Sequence, residues 1–159
     1  MRALKIFVNF TPYLAVPAEQ GVNKKFATEL PPPAEFVSYK TPLSGTINLV
    51  KEKNLIISNF NCRTTIILTC DRCLEEFDLK IEPQFNRIYS LNMPVETNQK
   101  EEIFTLPKNL TIDILPIINE EIVLNLPLNK LCAKDCRGLC QACGANLNHH
   151  KKHQCQTAK

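Results

Sequence analysis

The chain has 159 residues, 44% of them apolar and 22% charged, with a formal net charge of +3. This composition supports one globular domain with a real core and excludes wholesale disorder, and four glycines among eleven prolines exclude a collagen-like repeat. No stretch approaches 18 consecutive apolar residues, and neither G-x-G-x-x-G nor G-x-x-x-x-G-K-[ST] is present to cradle nucleotide phosphates.

The start, with Arg2, Lys5 and Ile6-Phe7-Val8, faintly resembles a signal peptide, but Asn9, Thr11 and Pro12 interrupt the apolar run. It reads as a mature cytoplasmic N-terminus. Residues 1–16 read as a strand, and 17–42, with three prolines at 31–33, as a linker or edge segment. From Thr46 the pattern turns to β. Thr46 to Val50 alternates, Glu52-Lys53-Asn54 reads as a turn, and Leu55-Ile56-Ile57 continues as a second strand. Asn59 and Asn61 bracket a possible second turn, and Thr64 to Leu68 is a β-branched third strand ending at Cys70. Alternation resumes from Phe77 to Tyr89, and the polar, acidic residues 92–102 read as a mobile loop. Asp113 is placed to cap a helix with Pro116 in its first turn, the apolar face Leu115, Ile118, Ile122 and Leu126, and a stop at Pro127. The expected fold is α+β: an antiparallel β meander with one packed helix and a C-terminal cysteine-rich zinc-binding segment. Its parts are residues 1–42 (strand and linker), 43–130 (meander and helix) and 131–159 (basic cysteine-rich tail).

Charge divides unevenly along this plan. Residues 130–159 hold six Lys/Arg against Asp135 alone, whereas residues 1–129 hold thirteen against fifteen acids. A basic segment on a mildly acidic body attracts polyanions such as RNA, although a solvated tail is the plain alternative.

Eight cysteines stand at 62, 70, 73, 132, 136, 140, 143 and 155. Clustered in a cytoplasmic chain, they read as metal ligands or redox groups before structural disulfides. Cys70-Asp-Arg-Cys73 and Cys140-Gln-Ala-Cys143 are C-x2-C pairs, Cys132 and Cys136 a C-x3-C pair, and Gly144 supplies the positive φ such a turn needs. Zinc asks for four soft or borderline donors at tetrahedral corners. Several groupings are open, because 58 residues separate Cys73 from Cys132. Cys70 and Cys73 can join Cys132 and Cys136, or Cys140 and Cys143, and Cys136, Cys140, Cys143 and Cys155 can form a local site. A two-site version gives Cys70, Cys73, Cys132 and Cys136 to one ion and Cys140, Cys143, Cys155 and one histidine to another. His149, His150 and His153 otherwise read as solvated, and Cys62, opening a strand, as a small buried residue. Redox catalysis and an iron–sulfur cluster are the alternatives, but no βαβ thioredoxin-like pattern surrounds Cys70 or Cys140.

Cys70-Asp-Arg-Cys73-Leu74-Glu75-Glu76-Phe77 resembles the C-x-R-C-L-x-x-F signature of the YceD family. Ile112 to Leu115, Glu120-Glu121-Ile122 and Leu126-Pro127 resemble its helix, and Leu131-Cys132 through Asp135 to Cys140, Cys143-Gly144 and Asn146-Leu147-Asn148 its C-terminal motif. The resemblance spans roughly residues 43–155. It implies a large ribosomal RNA subunit accumulation protein, acting in 23S ribosomal RNA production or processing. Many relatives end in a C-x-C, whereas Thr157 stands here in place of the final cysteine, which favours a histidine ligand. Some relatives lack the Cys140–Cys143 pair, which favours Cys70, Cys73, Cys132 and Cys136 as the shared site.

The function expected is a non-enzymatic ribosome-biogenesis factor whose one or two Zn²⁺ ions pin the basic tail to the meander. Arg72, Lys130, Lys134, Arg137, Lys151 and Lys152 would then meet phosphates of ribosomal RNA or a pre-50S particle, with little sequence readout. A ribosomal protein is a possible further partner; no membrane or small-molecule substrate is expected. A nuclease would need converging carboxylates, and the adjacent pairs Glu75-Glu76, Glu101-Glu102 and Glu120-Glu121 diverge on a strand or helix. A thiol redox or zinc-sensing protein is the remaining alternative.

Overall fold

The computed structural model describes residues 4–15, 17, 21–29, 31, 38–91, 102–150 and 153–155. Its centre is one long strand, β5 (Leu55–Thr69), in which every second residue from Ile56 to Leu68 is buried. The turn expected at Asn59–Asn61 is absent. Period-2 alternation runs straight through it, because Phe60 and Cys62 point into the core while the asparagines point out. Ladder bonds from strands on both sides outweigh asparagine's poor strand preference.

The sheet is built around β5 in two halves. β4 (Ser44–Glu52) and β7 (Gln84–Ser90) flank its first half, both antiparallel; β3 (Ser38–Tyr39) and β6 (Glu76–Ile81) pair with its second half. Lys53-Asn54 closes the β4–β5 hairpin, with Lys53 at φ 52°. The expected Phe77–Tyr89 run is thus two strands, divided at Glu82-Pro83, where the Cys62 N–H donates to the Pro83 carbonyl (3.1 Å). β2 (Val22–Ala27), inside the segment read as linker or edge, is the edge strand beside β4. β8 (Ile103–Thr105) runs parallel to β7, so the sheet is mixed and not a pure antiparallel meander. Of the expected 92–102 loop, only Glu102 is described.

The start of the chain is tied in as well. β1 (Phe7–Asn9) pairs with β9 (Thr111–Asp113), and a single turn of helix, α1 (Thr11–Leu14), follows in place of the longer strand expected. Helix α2 (Leu115–Leu124) buries Leu115, Ile118 and Ile122, and Leu126 packs on the same core just past its end. Asp113 lies in β9 rather than at the cap position itself, yet its carboxylate accepts the N–H of Leu115 (3.2 Å) and of Ile6 (3.0 Å). The helix ends before Pro127, where the Asn125 side chain donates to the Glu121 carbonyl (2.8 Å). Arg87 of β7 holds α2 to the sheet through Glu120 (3.1 Å) and Glu121 (2.9 Å), and the Tyr39 hydroxyl donates to Asn119. One face of the sheet is thereby covered by α2 and the β1–β9 pair, around Ile47, Ile56, Phe60 and Ile66.

Candidate metal centre

The far end of β5 delivers Cys70 into a tight turn. The Cys70 N–H donates to the Glu75 carbonyl (2.9 Å) and the Leu74 N–H to the Cys70 carbonyl (2.9 Å). Seventy residues later the same turn recurs: the Cys140 N–H donates to the Ala145 carbonyl (2.8 Å) and the Gly144 N–H to the Cys140 carbonyl (2.8 Å). Both turns need a left-handed residue after the second cysteine, supplied by Gly144 at φ 73° and, against steric preference, by Leu74 at φ 60°.

The C-terminal segment returns to the first turn through backbone contacts. The Asp71 N–H donates to the Lys130 carbonyl, and the Lys130 N–H donates back to the Asp71 carboxylate, each at 2.7 Å. The Arg72 guanidinium donates to the Cys136 carbonyl (3.0 Å), and Gly138 (φ 72°) lets the chain pass where a Cβ would lie 3.0 Å from the Arg72 carbonyl. These contacts bring Cys132 and Cys136 against Cys70 and Cys73. The four sulfurs lie within 4.8 Å of one another, with Cys70–Cys136 at 3.7 Å and Cys73–Cys132 at 3.6 Å. Tetrahedral zinc–thiolate bonds of about 2.3 Å set sulfurs about 3.8 Å apart, whereas a disulfide needs about 2.05 Å. The donor set and its spacing therefore fit a closed tetrahedral metal site, buried except at Cys132.

A second group forms from Cys140, Cys143, His153 and Cys155, also within 4.8 Å, with Cys143 Sγ 3.3 Å from His153 Nε2. A mixed sulfur–nitrogen edge of a zinc tetrahedron is about 3.5 Å. This group is more open, with Cys143 exposed. Of the groupings open in the sequence, the side chains form the two-site one. His153 departs from the solvated reading, while His149 bonds Glu75 (2.7 Å) and ties the two turns together. Asn148 makes a second tie: its side chain accepts the Arg137 N–H (2.8 Å) and donates to Cys136 Sγ (3.4 Å), which steadies a thiolate. Cys62 is fully buried in the sheet core, its thiol pushed up to about 12 by burial, and takes no part.

The electrostatics of both groups favour a cation. Burial pushes the Cys70 thiol up, but N–H groups of Cys132, Cys73 and Arg72 outweigh it and draw it down to about 6. N–H groups of Cys143 and Ala142 draw Cys140 to about 6 as well. Beside them, Cys132 is pushed up to about 12, first by Cys136 and then by burial. Four thiolates repel in so small a space, and a divalent ion removes that repulsion.

The expected RNA-facing cations fare differently. Arg72 and Lys130 are engaged in the fold: Arg72 pairs with neither Asp71 nor Glu75, and Lys130 Nζ lies 3.9 Å from Asp71. Lys134 and Arg137 are exposed on the cysteine lobe. Lys151 and Lys152 lie outside the described residues.

The family model for the large ribosomal RNA subunit accumulation protein YceD matches residues 58–159, which takes in both cysteine groups. The chain belongs to the YceD family. Two curated YceD relatives carry the name large ribosomal RNA subunit accumulation protein YCED homolog 1, chloroplastic. The one from Arabidopsis thaliana is 27% identical over 70% of this chain and 43% of its own length. The one from Zea mays is 26% identical over 69% and 47%. An uncharacterised protein of Mycobacterium bovis is 28% identical over 54% of this chain and 42% of its own. The chain thus spans less than half the length of these curated relatives. No solved structure matches this YceD chain. Among the described residues, no helix is long and apolar enough to cross a membrane.

Proposed function

We propose that this chain is a non-enzymatic factor supporting 23S ribosomal RNA accumulation and large-subunit assembly, with two structural zinc ions closing its cysteine lobe. The convergence of Cys70, Cys73, Cys132 and Cys136 within 4.8 Å carries the reading, because it joins the end of the sheet to the basic C-terminal segment. That segment has too little apolar surface to fold unaided, so metal binding there is folding energy. Cys70, Cys73, Cys132 and Cys136 would hold one ion, and Cys140, Cys143, His153 and Cys155 the other. Fully thiolate-ligated zinc leaves no open position for a substrate, which supports a structural role. The carboxylate pairs support it too: Glu75 is held by His149, and Glu120 and Glu121 by Arg87. Lys134 and Arg137 would meet ribosomal RNA phosphates, in the cytoplasm where large subunits assemble. The printed names of the plant relatives agree with this role.

The test is complementation. In cells depleted of the protein, 23S RNA should fall relative to 16S RNA. The wild-type chain should restore the ratio, and the Cys70→Ser, Cys73→Ser double variant should fail. An unchanged ratio on depletion contradicts the proposal.

A further inference from the structure

The face of the sheet turned away from α2 is a field of amides. Strand register sets Asn23, Asn48, Asn59 and Asn86 side by side across β2, β4, β5 and β7. The next row is Lys25, Thr46, Asn61 and Gln84, followed by Ser44 beside Arg63 and then Thr65 beside Lys80. Asn48 donates to Asn23 (2.9 Å), while among the described residues Asn59, Asn61, Gln84 and Asn86 make no side-chain hydrogen bond. All four are exposed. Shallow hollows of about 500 and 460 Å³ share Thr46 and Asn61 and open on this face.

A sheet face that merely meets water does not explain this choice of residues. Asparagine is depleted in strands, and threonine would pair better at each of these positions. Residues that break a local rule in aligned rows point to function. The charge points the same way. Residues 1–129 are net acidic, yet the charged residues in these four rows are Lys25, Arg63 and Lys80, with Glu82 at the margin and Asp78 beyond it taken by Lys40. Each amide offers donors and an acceptor in one plane, which matches the edge of an unpaired base. The field spans roughly 14 Å in each direction, enough for a few nucleotides.

We propose that this face binds an unpaired stretch of RNA, the amides of Asn59, Asn61 and Asn86 meeting base edges and Lys25, Arg63 and Lys80 meeting phosphates. The class of partner rests on the ribosomal-RNA reading above; the surface does not, since Asn59 lies about 35 Å along β5 from Cys70. The protein would then hold RNA at two places, with base contacts on the sheet and phosphate contacts on the cysteine lobe.

Binding of a fluorescein-labelled, unstructured RNA of A and C residues to the zinc-loaded full chain is followed by anisotropy, with an RNA duplex as comparison. The Asn59→Thr, Asn61→Thr, Asn86→Thr variant keeps strand preference, and its thermal unfolding is checked alongside. It is expected to bind the single strand about tenfold or more weakly than wild type. Lys25→Gln with Arg63→Gln should lower the salt slope by about two. Wild-type affinity in both variants, preference for the duplex, or loss only in Lys134→Gln with Arg137→Gln overturns the proposal. So does a wild-type chain that binds no RNA, which would point this face to a protein. None of these results touches the depletion test, so the two readings fail separately.

Discussion

Leu74 carries φ 60° with its side chain 64% exposed, in the position that Gly144 fills in the second turn. A non-glycine residue held there costs about 1–3 kcal/mol and persists only where its surroundings enforce it. The enforcement is the pair of backbone bonds that close the turn around Cys70. Since the leucine buries little, Leu74→Gly should stabilise the zinc-loaded protein by about 0.5 kcal/mol, after the glycine's added freedom in the unfolded chain is subtracted. A urea midpoint moved upward is the expected reading, and one moved downward would mean that the side chain's contacts outweigh the strain. Sequence spacing showed the two C-x2-C turns and the need for Gly144. It could not show that Leu74 accepts the same conformation, nor that His153 and not His149 or His150 joins Cys143. Those outcomes depend on where a loop closes in space.

At the scale of elements, β5 organises the fold, and the reading of its middle went wrong for a definable reason. Asn59 and Asn61 are turn-forming residues by local preference, and only the strands on either side make them extended. The α2 stripe was legible because Leu115, Ile118 and Ile122 repeat at helical spacing over enough residues to be unambiguous. β3 and β8, of two and three residues, are too short to carry a period. The β1–β9 pairing joins residues about a hundred positions apart and leaves no local mark. The closeness of β4 to β5 rests on Gly45, where a Cβ would stand 2.3 Å from the Asn61 carbonyl oxygen and 3.0 Å from Cys62 Cα. Backbone cannot give way there as a side chain can. Gly45→Ala should therefore cost about 3 kcal/mol by urea unfolding. Gly21→Ala, which meets the movable Asn48 amide at 3.0 Å, should cost well under half of that. Equal midpoints for the two variants would contradict the tight pairing.

Over the whole molecule, a sheet buried on one face carries a cysteine lobe at the far end of its longest strand. The lobe's own apolar contribution is small: Leu131, Leu139 and Phe77 around Cys70, Cys73 and Cys136. What holds it is the reciprocal Asp71–Lys130 backbone pair, Arg72 on Cys136, His149 on Glu75, and the two sulfur-rich groups. The sequence announced the cysteines and their chemistry but not their partition, because a 58-residue gap leaves the return of the chain undetermined until the sheet and α2 are built. Asn148 couples the groups by touching Cys136 Sγ from the second lobe, so the first site gains definition from the second without sharing an ion.

The central claim is that two separate zinc ions close this lobe, and native mass spectrometry of protein purified without chelators tests it most directly. Wild type should carry two zincs. Cys70→Ser with Cys73→Ser should lose the first, and Cys140→Ser with Cys143→Ser should lose the second and keep the first. A single zinc removed by either pair of substitutions would contradict the two-site arrangement, and a wild-type chain with no metal would contradict the zinc-closed lobe altogether.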